Sequence, residues 1–477
     1  MVIATSFLAA GEIEKSSPCV YECRSAEVVS LYDLYGLEIE SSPNGQWIYV
    51  LAPGRPGLPG MNYGAIEVFE IMPDGSLRYD SLAMIDEPVH DSAFGQPFVA
   101  FDDMIVAGAY RTTVNGVPGA GQVHVLSRTV DGWESQSLSE GSDCSYVYLG
   151  SSVGASETMI VACEHQCDKV APRRARVFER VDQEWQPAGF IHPPESPECV
   201  TCYGSFGTSI VVGSDYIALG TPNNEAPGGP ASGRVHVYAI KGEPGNRSWE
   251  LTQELLPDEI EPWAEFGWEM MLIDDSTMVV FAGYNLIGLA GRVYIFERGA
   301  DQQWTQLAMH ELEVFDPGSY ANFPADVSLS PDGQRLAMVA SADGTPFGEE
   351  IGLAYVLDLT SGEQQAIRPY DRQTLDELNK VTGIEFITDT RLLISEPLAT
   401  VDGLPRAGRL FDVDLGTYRN CHHDLSFNGE VDNADVLTLF GYWGTAHADA
   451  DLDCDGTVGF EDLLRVLAHW GSCPFAP

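Results

Sequence analysis

Apolar and polar residues alternate along most of the chain in short runs that are separated by turn-forming residues. Residues 94–110 are an example: they read FGQPFVAFDDMIVAGAY, with one run on each side of a DD turn. After a Gly/Pro-rich loop come the run GQVHVLSR, a DG turn and the run WESQSLS. Alternation with a period of two predicts half-buried strands, and the turn residues predict hairpins. This stretch therefore predicts four consecutive antiparallel strands.

The four-strand pattern occurs seven times. An aromatic-glycine mark recurs at nearly equal intervals and ends at Gly36, Gly95, Gly150, Gly207 and Gly267, with degenerate copies ending at Pro324 and Gly383. A second mark, of the type G-x-V-x-V-F, keeps the same interval and begins at Gly64, Gly121, Ala175, Gly233, Gly291, Gly352 and Gly408. A tryptophan opens the fourth run at Trp133, Trp185, Trp249 and Trp304. Four short strands in each of seven copies predict an all-β, seven-bladed propeller.

The repeats predict a propeller domain over residues 26–416. The seventh copy ends after its third strand, near Asp414, whereas the segment AEVVSLYD at residues 26–33 precedes the first mark. We expect this segment to supply the missing outer strand, because an open sheet edge in the last blade would be costly. Residues 1–25 form a separate N-terminal segment, and its apolar start is interpreted as a possible remnant of a signal peptide.

The three marks resemble the FG-GAP repeats of integrin α-subunit-like propellers, in the bacterial versions of that family. The resemblance covers residues 26–416 and implies a propeller face that binds a glycan or a protein ligand. Some blades of the family carry a D-x-D-x-D-G calcium loop, and no blade of this sequence has one. SPNGQW at 42–47 and SPDGQRLA at 330–337 resemble the turns of TolB-type propellers, and neither is a sialidase box.

Charge limits the partners that the chain is expected to bind. The 71 acidic and 25 basic residues give a formal net charge of −46, which repels nucleic acid and anionic lipid and favours divalent cations. No run of 18 apolar residues occurs, so the sequence predicts no membrane span. We therefore expect neither a nucleic-acid partner nor a transmembrane segment.

Ten cysteines predict an oxidising compartment and hence an extracellular or cell-surface location for an exported bacterial protein. Cys144, Cys163, Cys167, Cys199 and Cys202 are expected on one propeller face around the third blade. CEHQC and CVTC within this set are compatible with a four-cysteine zinc site, but disulfides are preferred in an exported protein. Seven cysteines precede the tail and three lie in it, so either a bridge joins the two parts or each part keeps a free thiol.

The end of the chain contains a duplicated acidic loop. Residues 424–444, DLSFNGEVDNADVLTLFGYWG, align without a gap with residues 451–471, DLDCDGTVGFEDLLRVLAHWG. Calcium loops place oxygen ligands at positions 1, 3, 5, 7 and 12 and a glycine at position 6. The predicted ligands are Asp424, Ser426, Asn428, the Glu430 carbonyl and Asp435 in the first copy, and Asp451, Asp453, Asp455, the Thr457 carbonyl and Asp462 in the second. The sequence thus predicts two Ca²⁺ sites, with metal-free solvated loops as the alternative.

Two such loops, each opening a short amphipathic helix that ends in Trp-Gly, resemble a dockerin domain. The match covers residues 421–473, defines a small all-α domain over residues 417–477, and is most similar to the dockerin-like tails of exported planctomycete-type proteins. It implies a cohesin-like partner. Loop positions 10 and 11, where type I cohesin recognition usually uses Ser-Thr, hold Asn433-Ala434 and Phe460-Glu461. Cys421 and Cys473 bracket the module, and we expect a disulfide between them.

Two functional hypotheses follow. The first is an exported, non-catalytic binding or scaffold protein, with a propeller face for a glycan or protein ligand and a calcium-dependent tail that anchors it to a cohesin-type partner or a surface assembly. The alternative is a polysaccharide-degrading glycoside hydrolase or lyase that carries the same tail. The sequence shows no catalytic constellation, because no pair of carboxylates is singled out by spacing and no G-x-S-x-G motif occurs. We therefore favour the binding protein.

Overall fold

The computed structural model describes most of the residues from 35 onward. The described ranges are 35–53, 64–73, 75–89, 91–139, 144–165, 173–194, 205–223, 229–259, 261–283, 291–312, 322–341, 353–367, 381–397, 408–415, 423–426, 430–445, 450–452 and 457–472.

Short antiparallel strands make up most of the described chain as far as Asp414. These strands are β1 Ile39–Ser41, β2 Trp47–Ala52, β3 Ala65–Ile71, β4 Leu77–Ala83, β5 Phe98–Ala100, β6 Met104–Ala109, β7 Gln122–Thr129, β8 Gly132–Leu138, β9 Val153–Ala155, β10 Met159–Glu164, β11 Arg174–Val181, β12 Glu184–Ile191, β13 Ile210–Val212, β14 Tyr216–Thr221, β15 Arg234–Lys241, β16 Ser248–Leu255, β17 Met270–Asp274, β18 Thr277–Ala282, β19 Arg292–Arg298, β20 Trp304–Glu311, β21 Asn322–Leu329, β22 Arg335–Ser341, β23 Leu353–Asp358, β24 Gln364–Ile367, β25 Gly383–Thr388, β26 Arg391–Glu396 and β27 Arg409–Asp414.

The strands form seven separate sheets, which we number blades 1 to 7 in chain order. Within each blade the strands are neighbours in sequence order, so β1–β4 make blade 1 and β25–β27 make blade 7. The first strands of successive blades contact one another, as in the pairs β1 with β5 and β9 with β13, and β25 contacts β1. Contact between the last blade and the first closes the ring. The chain is therefore a seven-bladed β-propeller, as the repeats predicted.

The apolar core lies between the blades. Seven clusters of buried residues each draw side chains from two successive blades, and the cluster between blades 7 and 1 contains Tyr35, Ile39, Val50, Leu393 and Leu410. Strands such as β6 and β10 are buried along their whole length, so both faces of these sheets are covered by the neighbouring blades. The ring is thus held by apolar burial at every junction.

The two glycine marks meet at these junctions. Gly233 precedes β15 with φ +81°, and a Cβ there would lie 2.2 Å from the carbonyl oxygen of Phe266, the aromatic residue of the next mark. Gly408 has the same position in blade 7, and a Cβ there would lie 2.4 Å from the carbonyl oxygen of Tyr35 in blade 1. Left-handed φ and close backbone approach both require glycine. The two recurring marks therefore occur where the backbones of adjacent blades are in contact.

Blade 7 contains three strands among the described residues. The segment 26–33, which we expect to add the fourth, lies outside the described residues. The closure of the last blade by the N-terminal segment therefore stays a prediction.

Two helices occur in the described part of the tail, α1 Asn433–Gly441 and α2 Phe460–Ala468, and both begin at position 10 of their loops. Two-residue strands accompany them, with β28 Glu430–Val431 paired to β29 Gly471–Ser472. The same pairing occurs with the two copies exchanged, between Val458 of the second loop and the end of the first copy. Gly444 N–H donates to the Val458 oxygen and Val458 N–H donates to the Thr445 oxygen, both at 2.8 Å. Each Trp-Gly end is thus paired with the loop of the other copy. The expectation of an all-α tail needs this correction.

The cysteine expectation is wrong for Cys163. This residue lies in β10, is fully buried in the cluster between blades 3 and 4, and has a free thiol whose pKa is raised by burial. Strand alternation directs it into the core, although the sequence spacing suggested a surface cluster. A free Cys163 fits the free-thiol alternative for the odd cysteine count. Cys167, Cys199, Cys202, Cys421 and Cys473 lie outside the described residues.

No helix among the described residues is both long enough and apolar enough to cross a membrane.

Candidate metal centre and binding surfaces

In the first acidic loop, Asp435 at position 12 ties the loop to the helix that follows. Its carboxylate is fully buried, with Oδ1 accepting from the N–H of Ser426 at 2.8 Å and Oδ2 accepting from the N–H of Asp432 at 2.6 Å. Asp432 is the N-cap of α1, and its side chain accepts from the Ala434 N–H. The loop and the helix are therefore fixed to each other by one buried carboxylate.

The second loop has the same design. Asp462 is fully buried, and its two oxygens accept from the N–H groups of Leu452 and Gly459, both at 2.5 Å. An ionised carboxylate only accepts, so both oxygens of Asp462 are suited to N–H donors and to a cation. Asp424 and Asp451, at position 1 of their loops, are also buried. Buried carboxylates at positions 1 and 12 suit a calcium loop.

The structure covers part of the predicted ligand sets. Asp424, Ser426, Glu430, Asp435, Asp451, Thr457 and Asp462 are described, whereas Asn428, Asp453 and Asp455 lie outside the described residues. Positions 1 and 3 of the first loop meet, because Ser426 Oγ donates to Asp424 Oδ1 at 3.3 Å. No group of three or more His, Cys, Asp or Glu residues suited to a metal occurs among the described residues. Both Ca²⁺ sites therefore remain predictions.

Both tail helices carry exposed apolar side chains at equivalent positions. We call this set the apolar tail face; it consists of Leu437, Phe440 and Trp443 in the first copy and of their counterparts Leu464, Leu467 and Trp470 in the second. Leu437 is 70% exposed, whereas Leu439, two positions further on, is fully buried in the small tail core. Exposed apolar side chains that repeat in this way are typical of a protein-binding surface. The sequence periodicity predicted the helices but not which of their apolar residues stay exposed.

The lumen of the propeller is lined by carboxyl groups, which the sequence reasoning missed. Burial raises the pKa of Glu38 to about 8 and that of Glu269 to about 7, and the charge of Glu269 contributes to the rise at Glu38. Burial and neighbouring carboxylates also raise the pKa of Glu40 and Asp326, with burial the larger cause, and burial raises the pKa of Glu385. Glu38 and Glu269 belong to blades 1 and 5, which are not neighbours. Their mutual effect therefore places both in the central lumen.

Three of these lumen positions also join neighbouring blades. Glu38 Oε1 accepts from the Phe98 N–H of blade 2 at 3.2 Å, and Asp326 Oδ2 accepts from the Ile384 N–H of blade 7 at 2.8 Å. Ser209 stands at the same position of blade 4, and its Oγ donates to the Gly267 oxygen of blade 5 at 2.9 Å. These hydrogen bonds give the three positions a part in joining the blades.

A signal for the lumen carboxyls exists in the sequence. Glu38, Glu269, Asp326 and Glu385 each stand two positions after the aromatic-glycine mark of their own copy. Recurrence at one repeat position would have identified them as a set.

Fold and repeats together define the class of this protein, a seven-bladed β-propeller followed by a small duplicated helical module. No protein-family model matches the chain, and no curated protein sequence matches it.

Several solved structures are similar to the chain. The periplasmic gluconolactonase PpgL of Pseudomonas aeruginosa is 17% identical, with coverage of 69% of this chain and 84% of that chain and a TM-score of 0.42. A hypothetical selenium-binding protein from Sulfolobus tokodaii is 10% identical, with coverage of 74% and 84% and a TM-score of 0.44. A functionally unknown protein from Desulfotomaculum acetoxidans is also 10% identical, with coverage of 69% and 83% and a TM-score of 0.43. No activity or ligand is transferred from these proteins to this chain.

Proposed function

We propose that this chain is an exported binding protein with two working surfaces. The propeller face binds a glycan or protein ligand, and the tail anchors the chain, in a calcium-dependent manner, to a cohesin-like module of an extracellular or cell-surface assembly. The apolar tail face is the observation that carries the proposal, because it repeats with the loops and is exposed in both copies.

Calcium dependence follows from the way the exposed face is supported. Leu437 and Leu464 lie on helices whose first turns contain Asp435 and Asp462, the buried position-12 carboxylates. A cation bound to these carboxylates would fix both helices relative to their loops, and its removal would release them. The apolar tail face would then exist as a defined surface only in the metal-bound state.

The test uses the full chain as bait against the secreted proteins of its own source, in Ca²⁺ and in EGTA. We expect capture of a defined partner in Ca²⁺, its loss in EGTA, and its loss in the double variant Leu437→Glu/Leu464→Glu. Leu307→Glu is the matched control, since Leu307 is 63% exposed but lies on β20 of the propeller. Capture that survives EGTA and the double variant would contradict the anchoring role.

The lumen carboxyls favour a second candidate, the polysaccharide-degrading enzyme. A glutamate whose pKa is raised to about 8, such as Glu38, is protonated at neutral pH and is therefore able to act as a general acid. Release of reducing ends or unsaturated uronates from a polysaccharide panel, abolished by Glu38→Gln, would support the enzyme. An inactive wild-type chain across the panel would exclude it.

A further inference from the structure

Aromatic rings gather on one face of the propeller at the junction of blades 2 and 3. Tyr110 follows β6, and Tyr146 and Tyr148 lie in the connection that leads into β9. The ring centroid of Tyr148 lies 6.0 Å from that of Tyr110, 5.9 Å from that of Tyr146 and 6.0 Å from that of His165. Tyr146 and His165 are exposed, and Tyr110 and Tyr148 are half-buried. The four rings form a continuous surface, which we call the aromatic patch.

The two exposed-loop tyrosines share a left-handed backbone conformation. Tyr146 and Tyr148 have φ of +65° and +54°, in the left-handed region that bulky residues avoid. Hydrogen bonds from their N–H groups to the oxygens of Pro118 and Gly119, at 2.8 and 3.0 Å, hold them there. The equivalent residues before blades 2 and 5 have the same left-handed φ, namely Asp91 and Ala93, and Trp263 and Glu265. The conformation is therefore a feature of the repeat, and this junction differs from those two in having a tyrosine at both positions.

A buried cation adjoins the aromatic patch. Arg173 is 9% exposed, and its Nη2 donates to Ser151 Oγ at 2.7 Å and to Ser152 Oγ at 3.3 Å. Among the described residues, its Nε has no hydrogen-bond partner and no ion pair includes it. The neighbouring arginines differ, since Arg174 and Arg176 both pair with Glu164. Acidic residues outnumber basic ones by 71 to 25 in this chain, so a buried arginine without a carboxylate partner in the described part of the chain is exceptional.

Arg173 and the aromatic patch belong to one site. The Ser151 N–H donates to the backbone oxygen of Tyr148 at 3.1 Å, so the serine whose hydroxyl Arg173 contacts lies in the same turn as the central tyrosine of the patch. Burial lowers the pKa of His165, and the charge of Arg173 lowers it further, so the guanidinium is within electrostatic reach of that ring. His165 is then neutral at pH 7 and adds no charge to the site.

The chemistry of the site selects its ligand. A buried charge is costly unless an opposite charge compensates it, and a guanidinium binds carboxylates with two parallel hydrogen bonds. Tyrosine faces offer a flat apolar surface with polar edges, which suits the C–H face and the hydroxyls of a sugar ring. We infer that this junction is a subsite for an acidic saccharide, whose ring packs on Tyr146 and Tyr148 and whose carboxylate binds Arg173. The inference rests on the proposed glycan-binding role of the propeller face and specifies its substrate class.

Calorimetric titration of the full chain tests the inference. The probes are tetramers of galacturonate, mannuronate and guluronate, with a neutral galactose tetramer as the comparison. We expect at least one uronate tetramer to bind at least tenfold more tightly than the neutral one. Arg173→Gln should reduce that binding at least tenfold, and Tyr148→Ala should weaken it as well. Arg78→Gln is the control, because Arg78 lies on β4 of blade 1 and pairs with Glu70 there.

Thermal stability separates a binding role from a structural one. Removing a buried cation without a carboxylate partner should leave the melting temperature of Arg173→Gln unchanged or raised, whereas Arg176→Gln breaks a buried pair and should lower it. A lowered melting temperature with unchanged uronate binding in Arg173→Gln would overturn the inference. Absence of uronate binding by the wild-type chain would also overturn it, while calcium-dependent capture through the tail would still support the proposed anchoring function.

Discussion

The propeller and the tail are both built from a repeated unit, but different interactions join the units. Blades are the longer units and bury apolar faces against each other, and fourteen buried residues make up the cluster between blades 4 and 5. The tail copies are much shorter, and the core that they share contains seven buried residues among those that the structure describes. A core that small supplies little stability, so short units need additional links such as metals or disulfides. The longer repeat can thus be held to its neighbours by apolar burial alone, whereas the shorter one needs further links.

Removal of calcium should affect the tail and leave the propeller unchanged, which is the largest difference that we expect between the two parts. We expect EGTA to abolish the helical signal of α1 and α2 in far-UV circular dichroism, because the small tail core does not hold the loops without the cation. The propeller transition in differential scanning calorimetry should be unchanged, since its junctions are apolar. Asp462→Ala should reproduce the effect of EGTA on the tail in the presence of Ca²⁺. Identical scans in Ca²⁺ and EGTA would contradict the calcium dependence of the tail.

Gly408→Ala should destabilise the propeller at the contact between blades 7 and 1. The left-handed backbone costs an alanine about 1–2 kcal/mol, and the clash with the Tyr35 oxygen adds about 1–3 kcal/mol. The matched control is Gly116→Ala, because Gly116 has φ +80° but no neighbour within 4 Å of an added Cβ. We expect Gly408→Ala to destabilise the propeller by about 2–5 kcal/mol and the control by about 1–2 kcal/mol in denaturant unfolding. Equal losses would show that the junction tolerates a Cβ.

Deletion of residues 1–31 tests the closure of blade 7 by the N-terminal segment. If residues 26–33 supply the fourth strand, their loss exposes the edge of β27 and should lower the melting temperature of the propeller by several degrees or cause aggregation. The tail transition should not move. An unchanged propeller melt would show that three strands complete the blade.

The lumen carboxyls should give the smallest of these effects, a dependence of the propeller melting temperature on pH. A carboxyl with a raised pKa binds its proton more tightly in the folded state, so its contribution to stability is present at low pH and is lost as pH rises through the folded pKa. We expect the propeller melting temperature to fall between pH 5 and pH 8, because the pKa of Glu38 is raised to about 8 and that of Glu269 to about 7. Glu38→Gln keeps the acceptor for the Phe98 N–H and should flatten this slope, whereas Glu134→Gln on β8 removes an exposed carboxyl and serves as the control. Equal slopes in the two variants would contradict a raised pKa for Glu38.

The seven blades could be predicted from the sequence because each blade makes the same backbone contact with the next, and this contact requires the residues of the marks. Gly233 and Phe266 belong to the two recurring sequence marks, and their backbones are in close contact where blade 4 meets blade 5. The lumen carboxyls escaped prediction because local alternation does not show which face of an innermost strand lines the lumen. The proximity of Glu38 to Glu269 depends on closing a ring of seven blades, which no local pattern contains.

The wrong and missing site predictions have similar causes. Cys163 looked like part of a surface cluster because its neighbours in sequence are cysteines, whereas its place in β10 directs it into the core. Arg173 stands close to Arg174 and Arg176 in the sequence, and only the three-dimensional contacts distinguish it from these two, which pair with Glu164. The tail loops were predictable because calcium ligands follow a fixed local spacing.

The reciprocal pairing in the tail has the symmetry of a dimer. The loop of the first copy pairs with the end of the second, and the loop of the second pairs with the end of the first. This reciprocity is the pattern of an isologous interface, in which residue i of one subunit meets residue j of the other and the reverse. The tail is thus equivalent to a symmetric homodimer whose two subunits have been fused into one chain. Because both copies belong to one chain, their pairing is intramolecular and does not depend on protein concentration.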